Sequence, residues 1–344
     1  MKKSPTILLF AKISLVLIFM VILAGSIVRM SGSGMGCPDW PKCYGYYIPP
    51  SDIEPLTYRD GKIFNEGQMV LFNDTLWVAQ DSVFASNDFN RAEWMKYPRH
   101  DYAYYNPVHT WIEYLNRLIG ALSGIPVLIL FVLSFIHLIK KKDRGTFVLA
   151  ALTLFMLGFE AWLGKTVVDA ELLPVKITLH MLGSIVIVAL LMIIIHRHRI
   201  IDARVKINSL FWKIISAVWA VIAFAQILLG TQVREALDIV ADKSDDRWTW
   251  IEQLPWIFKV HRSFSILVFA LLVFTYIRSK GLSFLPRPLK GIFIVALLEI
   301  AVGMTLAYAG VPAFAQPIHL FFAIMWFAFA WSFMLISWRK EETI

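Results

Sequence analysis

The chain predicts an all-α polytopic membrane protein: eight transmembrane helices arranged as two pseudo-twofold-related four-helix bundles, with a small extracytoplasmic insertion. Three observations lead there. Of the 344 residues 58% are hydrophobic and only 17% charged, and the mean hydropathy is +0.63, values far from those of a soluble domain. Eight stretches reach the roughly 20 apolar residues that cross a bilayer. The second half of the chain also repeats the polar pattern of the first.

The stretches fall near 8–29, 107–139, 146–167, 175–196, 209–233, 256–278, 286–309 and 314–338. The first follows "MKKSPT" and runs into "GSIVRM" with no small-residue cleavage site, so it reads as a signal anchor. Basic residues crowd one set of connections: "MKK", "KKKDR" (140–144), "HRHRIIDARVK" (196–206), "RSKGLSFLPRPLK" (278–290) and the tail "WRKEE". This bias orients both termini toward the cytoplasm across the inner (cytoplasmic) membrane. It also accounts for most of the net charge of +8, which therefore does not argue for nucleic-acid binding.

The first long connection, 30–106, opens with "SGSGMGCPDWPKCYGYYIPP" and holds Cys37 and Cys43, the two cysteines of the protein. Prolines between them favour a tight turn. Either a stapled loop or a thiol pair that exchanges electrons fits that compartment. Farther on, "KIFNEGQMVLFNDTLWVAQ" alternates apolar and polar residues around Asn-Asp, the pattern of a β-hairpin. Residues 55–100 are expected to form a small insertion or a soluble linker.

The repeat fixes the candidate site. Gly25-x-x-Val28-Arg29 at the end of the first span matches Gly230-x-x-Val233-Arg234 at the end of the fifth. Glu160, Gly164 and Thr166 in the third match Glu299, Gly303 and Thr305 in the seventh, and sixteen residues separate Gly164 from His180 as they separate Gly303 from His319. Asn116-Arg117 aligns with His261-Arg262. Four spans return the chain to its starting side, so the repeats are parallel: residues 1–200 with loop 30–106, and 201–344. His261 and His319 then lie at similar depth, where two imidazoles can hold a haem iron across a bundle; hydrogen-bonded core histidines are the alternative. Arg262 and Arg234 can pair with propionates or anchor at headgroups. In the first half His180 keeps one ligand, while Asn116 is a poor one. Glu113, one turn before Asn116, is a carboxylate inside a span, either functional or salt-bridged to Arg117 or Lys165. His109 is a second candidate ligand. His137, His196 and His198 read as basic groups snorkelling at the cytoplasmic ends, and His100 lies in the loop.

"GSIVRMSGSGMGCPDWPKC", "IEYLNRLIG", "LGKTVVD", "TLHMLGSIV", "HRSFSILVF" and "PIHLFFAIM", in this order and spacing, resemble the haem A synthase family, in its subgroup with an extracytoplasmic cysteine pair. The resemblance spans all eight helices and omits only the region around 55–100. It implies a membrane enzyme that oxidises the C8 methyl of haem O to a formyl group for cytochrome oxidase assembly. It implies haem b as cofactor on His261 and His319, haem O as substrate near His180, Asn116 and Arg117, and Glu113 as catalytic. A haem O synthase and an electron donor or acceptor are the implied partners, with homo-oligomerisation open. The departure is Asn116, where the family pattern has histidine; the iron then keeps one ligand, or His109 supplies the second, or activity is lost, against which the retained Glu113, His180 and cysteines argue. A di-haem b electron-transfer protein or a haem carrier without porphyrin chemistry are the alternatives.

Overall fold

In lipid, backbone polar groups have no water to bond, so each span must close its own hydrogen bonds as a helix. The computed structural model describes residues 3–98, 105–141, 143–169, 173–200 and 207–339. It has nine α-helices among them: α1 (Pro5–Met30), α2 (Pro107–Lys141), α3 (Arg144–Asp169), α4 (Pro174–His198), α5 (Leu210–Ala241), α6 (Arg247–Gln253), α7 (Trp256–Ser279), α8 (Arg287–Tyr308) and α9 (Ala315–Ser337). All but α6 are long and apolar enough to cross a membrane, as the eight stretches predict. The chain is an all-α multi-pass membrane protein.

Helix ends follow local chemistry. Ser4 precedes Pro5, which suits the first helical position, and the Ser4 hydroxyl accepts from Ile7 N–H at 3.4 Å. Prolines also open α4 and α8. Contrary to the expected end at 233, α5 continues to Ala241. Its extra turns carry the Arg234–Asp238 i,i+4 ion pair at 2.7 Å, which holds a polar helical extension.

Helix α1 packs on α2 and α4, with α2 on α3 and α3 on α4. Likewise α5 packs on α7 and α9, and α8 on α7 and α9; α9 also meets α1 and α4. Apolar burial drives little association between helices already in lipid, so close packing must do it. Small residues sit at these seams accordingly: Ala11, Ser14, Ala150, Ala223, Ala296 and Ala330 are all buried. One core runs through both sets of helices, from Ile7 and Leu130 through Leu191 to Trp219, Leu289 and Phe333. Trp331 of α9 donates to the Ala189 carbonyl of α4 at 3.2 Å across the junction.

The insertion is a folded unit. Strands β1 (Ile63–Phe64) and β4 (Val83–Phe84) pair, and β2 (Met69–Phe72), β3 (Thr75–Ala79) and β5 (Trp94–Lys96) form a three-stranded antiparallel sheet. Phe72 pairs with Thr75, and Asn73 and Asp74 between them have φ 48° and 53°. That is the left-handed two-residue turn that Asn-Asp tolerates, and it realises the predicted hairpin. The rings of Tyr58, Phe64, Phe89 and Trp94 pack together, Tyr58 stacked on Phe64 and edge-to-face with Phe89, and Phe64 edge-to-face with Trp94. A second cluster joins Leu56, Met69, Leu76 and Tyr97 to Cys37, Cys43 and Tyr44, with Tyr114 of α2 against it. The insertion is thus docked on the membrane helices through the cysteine loop. His100 lies outside the described residues.

At the end opposite the insertion, His198 corrects the expectation of a snorkelling side chain: it is 2% exposed. Its Nδ1 accepts from Ser4 N–H at 3.1 Å, and its Nε2 meets the Thr146 hydroxyl at 3.0 Å. Asp143 caps α3, accepting from Thr146 N–H (3.2 Å), the Thr146 hydroxyl (2.7 Å) and Arg197 (2.9 Å). A buried polar group needs such partners, and this node ties α1, α3 and α4 together. Burial works to raise the Asp143 carboxyl, but the bonds from Thr146 and Arg197 outweigh it and hold the pKa below the ordinary value of 3.8. A depressed acid stabilises the fold above its unfolded pKa and loses that contribution as pH falls through the folded one. Asp143→Ala is therefore expected to lower stability at neutral pH by about 1–2 kcal/mol. Thermal unfolding in detergent should show a lower apparent Tm whose deficit shrinks below pH 4; an unchanged Tm would make the cap redundant.

Candidate functional site

The polar side chains of the repeat gather at the insertion end of the helices. Loop 31–46 enters through Gly36, where an added Cβ would overlap the His109 carbonyl in the first turn of α2. This contact lets the loop lie flat on α2, and the Thr110 hydroxyl donates to Gly36 O at 2.9 Å. Cys37 and Cys43 are joined as a disulfide. Inside the loop, the Asp39 carboxylate accepts from the N–H groups of Tyr44 (2.6 Å) and Gly45 (2.9 Å). Burial raises the Asp39 pKa, against the pull of those two N–H groups and of Arg117.

Glu113 and Arg117 tie this loop to α2. Glu113 is 3% exposed. Its Oε2 accepts from Cys37 N–H at 2.8 Å and its Oε1 from Arg117 at 2.5 Å. The same guanidinium donates to the carbonyls of Asp39 (2.6 Å), Lys42 (3.1 Å) and Cys37 (3.2 Å). The fork geometry of arginine allows this fan of bonds. So the salt bridge foreseen between Glu113 and Arg117 is present, and it extends into the disulfide loop.

Below it, four side chains each face a glycine of the neighbouring helix. A Cβ built at Gly25 lies 3.7 Å from Asn116 Oδ1; at Gly164, 3.5 Å from His180 Cε1; at Gly230, 3.5 Å from His261 Cε1; at Gly303, 3.2 Å from His319 Cε1. A Cβ would crowd the ring at Gly303 and would make an ordinary contact at the other three. His261 and His319 face one another with ring centres 6.2 Å apart and planes at 86°. Metal–imidazole bonds of about 2 Å on opposite faces of one iron put two ring centres roughly 6 Å apart, so this pair has the spacing of axial haem ligands.

Two carboxylates stand behind the histidines. Glu160 Oε2 lies 2.6 Å from His180 Nδ1, and Glu299 Oε1 lies 3.1 Å from His319 Nδ1. A carboxylate hydrogen-bonded at Nδ1 would fix the proton there and turn the Nε2 lone pair outward as a metal ligand; here His180 Nδ1, His319 Nδ1 and both Glu160 oxygens lie close to their counterparts without hydrogen-bond geometry. Glu160 has room because its neighbour on α4 is Gly183, where a Cβ would overlap its carboxylate. Neither glutamate is among the sequence-predicted site residues, although both recur at the same place in the repeat, and a recurring carboxylate inside a span is a legible signal.

The other candidates lie apart from these pairs. Arg262 is exposed, with its guanidinium 5.6 Å from the Phe258 ring centre. Arg234 pairs with Asp238 and donates to Gln316, and Arg29 shares the same Asp238 at 2.7 Å. On the outer seam of α3 and α4, a cleft of about 480 Å³ is lined by Phe159, Trp162, Leu163, Leu182 and Val186, with Lys176 at one end. Gly183, which lies against the Glu160 carboxylate, is also in its wall.

Eight apolar helices carrying histidines beside carboxylates, and a disulfide-bearing extramembrane loop, define a polytopic membrane protein whose polar groups gather at one end of its spans. Over residues 8–75 and 87–331 the chain matches the cytochrome oxidase assembly protein family COX15-CtaA, and it belongs to that family. The match leaves out only 76–86 between its segments, so the region without family counterpart is narrower than the expected 55–100. A heme A synthase of Rickettsia canadensis is 21% identical over 358 aligned positions, covering 95% of this chain and 97% of that protein. The heme A synthase of Shewanella oneidensis is 26% identical over 222 residues, 64% of this chain and 54% of its own length. That of Flavobacterium psychrophilum is 24% identical over 176 residues, 50% and 43%. The chain thus spans about half the length of two of these three relatives.

Arg117→Ala would leave three loop carbonyls and a buried carboxylate without their donor, each charge-assisted bond contributing about 1.5–3 kcal/mol. Hydrogen exchange is expected to speed up at least tenfold in the peptide 36–46 and little in the α5–α9 helices. Arg117→Lys, which lacks the fork, should rescue only part. Unchanged exchange would show that the disulfide alone holds the loop.

Proposed function

We propose that this chain is a haem A synthase: a membrane oxidoreductase that takes haem O into the α1–α4 bundle and oxidises its C8 methyl to a formyl group, with haem b in the α5–α9 bundle as cofactor. In this reading the two four-helix sets are parallel repeats with different duties. The termini and basic connections face the cytoplasm, and the insertion lies outside the inner membrane. Family membership and the names of the relatives support the activity. The observation that carries the division of labour is the His261–His319 pair at 6.2 Å, matched in the first half by one histidine and one asparagine.

Haem b, when bound, supplies one-electron transfer between the bundle and an external partner. His261 and His319 would hold it, with the Glu299 carboxylate 3.1 Å from His319 Nδ1. His180 is the ligand offered to the substrate iron, with Glu160 beside its Nδ1 at 2.6 Å. Its side chain is 43% exposed against 24% for His319, as a site that exchanges its occupant requires. The apolar cleft between α3 and α4 gives a lateral way in from the bilayer.

Turning a methyl into a formyl group with the oxygen of water releases four protons and four electrons, and the electrons go to the external one-electron acceptor. Glu113 is the carboxylate one helical turn from Asn116, and it accepts protons. Arg117 and the Cys37 N–H hold its two oxygens and keep it aimed, so these are positioning groups. The test is coexpression with a haem O synthase in a host that makes no haem A, followed by chromatography and mass analysis of the extracted porphyrins. Wild type should yield haem A or its hydroxylated precursor. Glu113→Gln should lower that yield at least a hundredfold with haem b content unchanged, whereas His261→Ala or His319→Ala should lose haem b. Full activity in Glu113→Gln would reduce the glutamate to a structural salt bridge. Untouched haem O from folded wild type would favour electron transfer or haem carriage.

A further inference from the structure

The four glycine-facing positions at the insertion end form one set, and one member breaks it. Gly164, Gly230 and Gly303 face imidazoles; Gly25 faces Asn116, whose Oδ1, like the Nδ1 of each of the three histidines, is buried with no hydrogen-bond partner. Everything else about the position repeats. Asn116 precedes an arginine as His261 does, and it lies across from the glycine one turn before Arg29, just as His261 lies across from the glycine one turn before Arg234.

Replacing imidazole by carboxamide at such a position has two physical consequences. The side chain is shorter, so it ends before the point an imidazole nitrogen reaches. Its terminal groups are a neutral oxygen and an NH2, weak ligands for haem iron but a good acceptor and donor for a small molecule beside it. An unpartnered buried polar atom is costly, and Oδ1 is left in that state 3.7 Å from where a Cβ of Gly25 would stand.

His109 does not restore the missing ligand. It precedes Asn116 by seven residues on α2, which at 1.5 Å per residue is about 10 Å farther along the axis. Its backbone is moreover pinned against Gly36.

We infer that the α1–α4 site binds porphyrin iron through His180 alone and leaves the Asn116 face open to a small exogenous ligand, which the Asn116 carboxamide hydrogen-bonds. The inference rests on the reading that both bundles receive a porphyrin, and it deepens that reading by assigning different coordination to the two.

Spectroscopy tests it without turnover. The full chain in detergent, loaded with haem b as the probe, would be examined by absorbance and magnetic circular dichroism, oxidised and then reduced under carbon monoxide. Wild type is expected to hold one low-spin centre blind to carbon monoxide and one high-spin centre that binds it. Asn116→His should convert the second centre to low spin and weaken its carbon monoxide binding at least tenfold. Asn116→Gln, which keeps a carboxamide, should leave the second centre high-spin. His180→Ala should remove it, and His261→Ala should remove only the low-spin one. Two low-spin centres in wild type, or a second centre unmoved by Asn116→His, would overturn the inference. So would a wild type that binds haem only at His261 and His319. Loss of neither centre in His261→Ala would instead strike the cofactor assignment itself, so the two failures are distinguishable.

Discussion

A polar side chain within a membrane-spanning helix must find a partner, because lipid offers none. That constraint organises this protein more than any apolar contact does. Glu113 binds Arg117 and Cys37, Glu160 meets His180, Glu299 meets His319, and Asp238 meets both Arg29 and Arg234. These groups lie at the insertion end of the spans, so helix depth and helix rotation are fixed there. The cysteine loop exists as an ordered surface because Arg117, rooted in α2, gathers its carbonyls.

The two halves answer the same constraint differently. In the second, two imidazoles face each other and one has a carboxylate behind it, a self-contained arrangement more covered by protein. In the first, the histidine with its glutamate is more exposed, the position that matches His261 in the sequence repeat is an asparagine, and a loop closed by a disulfide lies over the end. Under the proposed function the α5–α9 arrangement suits a permanent cofactor, since nothing need move. The α1–α4 arrangement suits a substrate, since entry and release require an accessible flank and a ligand set that is not saturated.

Much of this was legible in the sequence, and the rest has a physical reason for being hidden. Apolar length gives the spans directly, and the Asn73-Asp74 turn announces its hairpin because few residues accept a left-handed backbone. The recurrence of Gly, Glu and His at fixed spacing brings His261 and His319 to one depth, and the rings do meet. What pattern cannot give is which partner satisfies a buried charge. His198 has the composition of a snorkelling terminus, yet it is enclosed because Ser4 and Thr146 converge on it from other helices. Glu113 offered both Arg117 and Lys165 as partners on charge alone; only the three-dimensional path of the loop adds the Cys37 N–H. Strands of two residues, such as β1 and β4, carry too little periodicity to be seen.

The shared carboxylate of Asp238 bears on how the halves are kept in register. Arg29 closes the first span of one half and Arg234 occupies the matching place in the other, and both guanidiniums reach the same side chain at 2.7 Å. These groups are partly exposed, so each pair contributes at most about 1 kcal/mol and stability is a weak explanation. Geometry is a stronger one. Each arginine stands one turn beyond the glycine that faces Asn116 or His261, so a carboxylate holding both sets the spacing of the two sites at their rim. It can do so only because α5 runs past its apolar stretch to carry Asp238 there. The extension of α5 that hydropathy does not predict is thus the element that couples the halves where their polar sites lie.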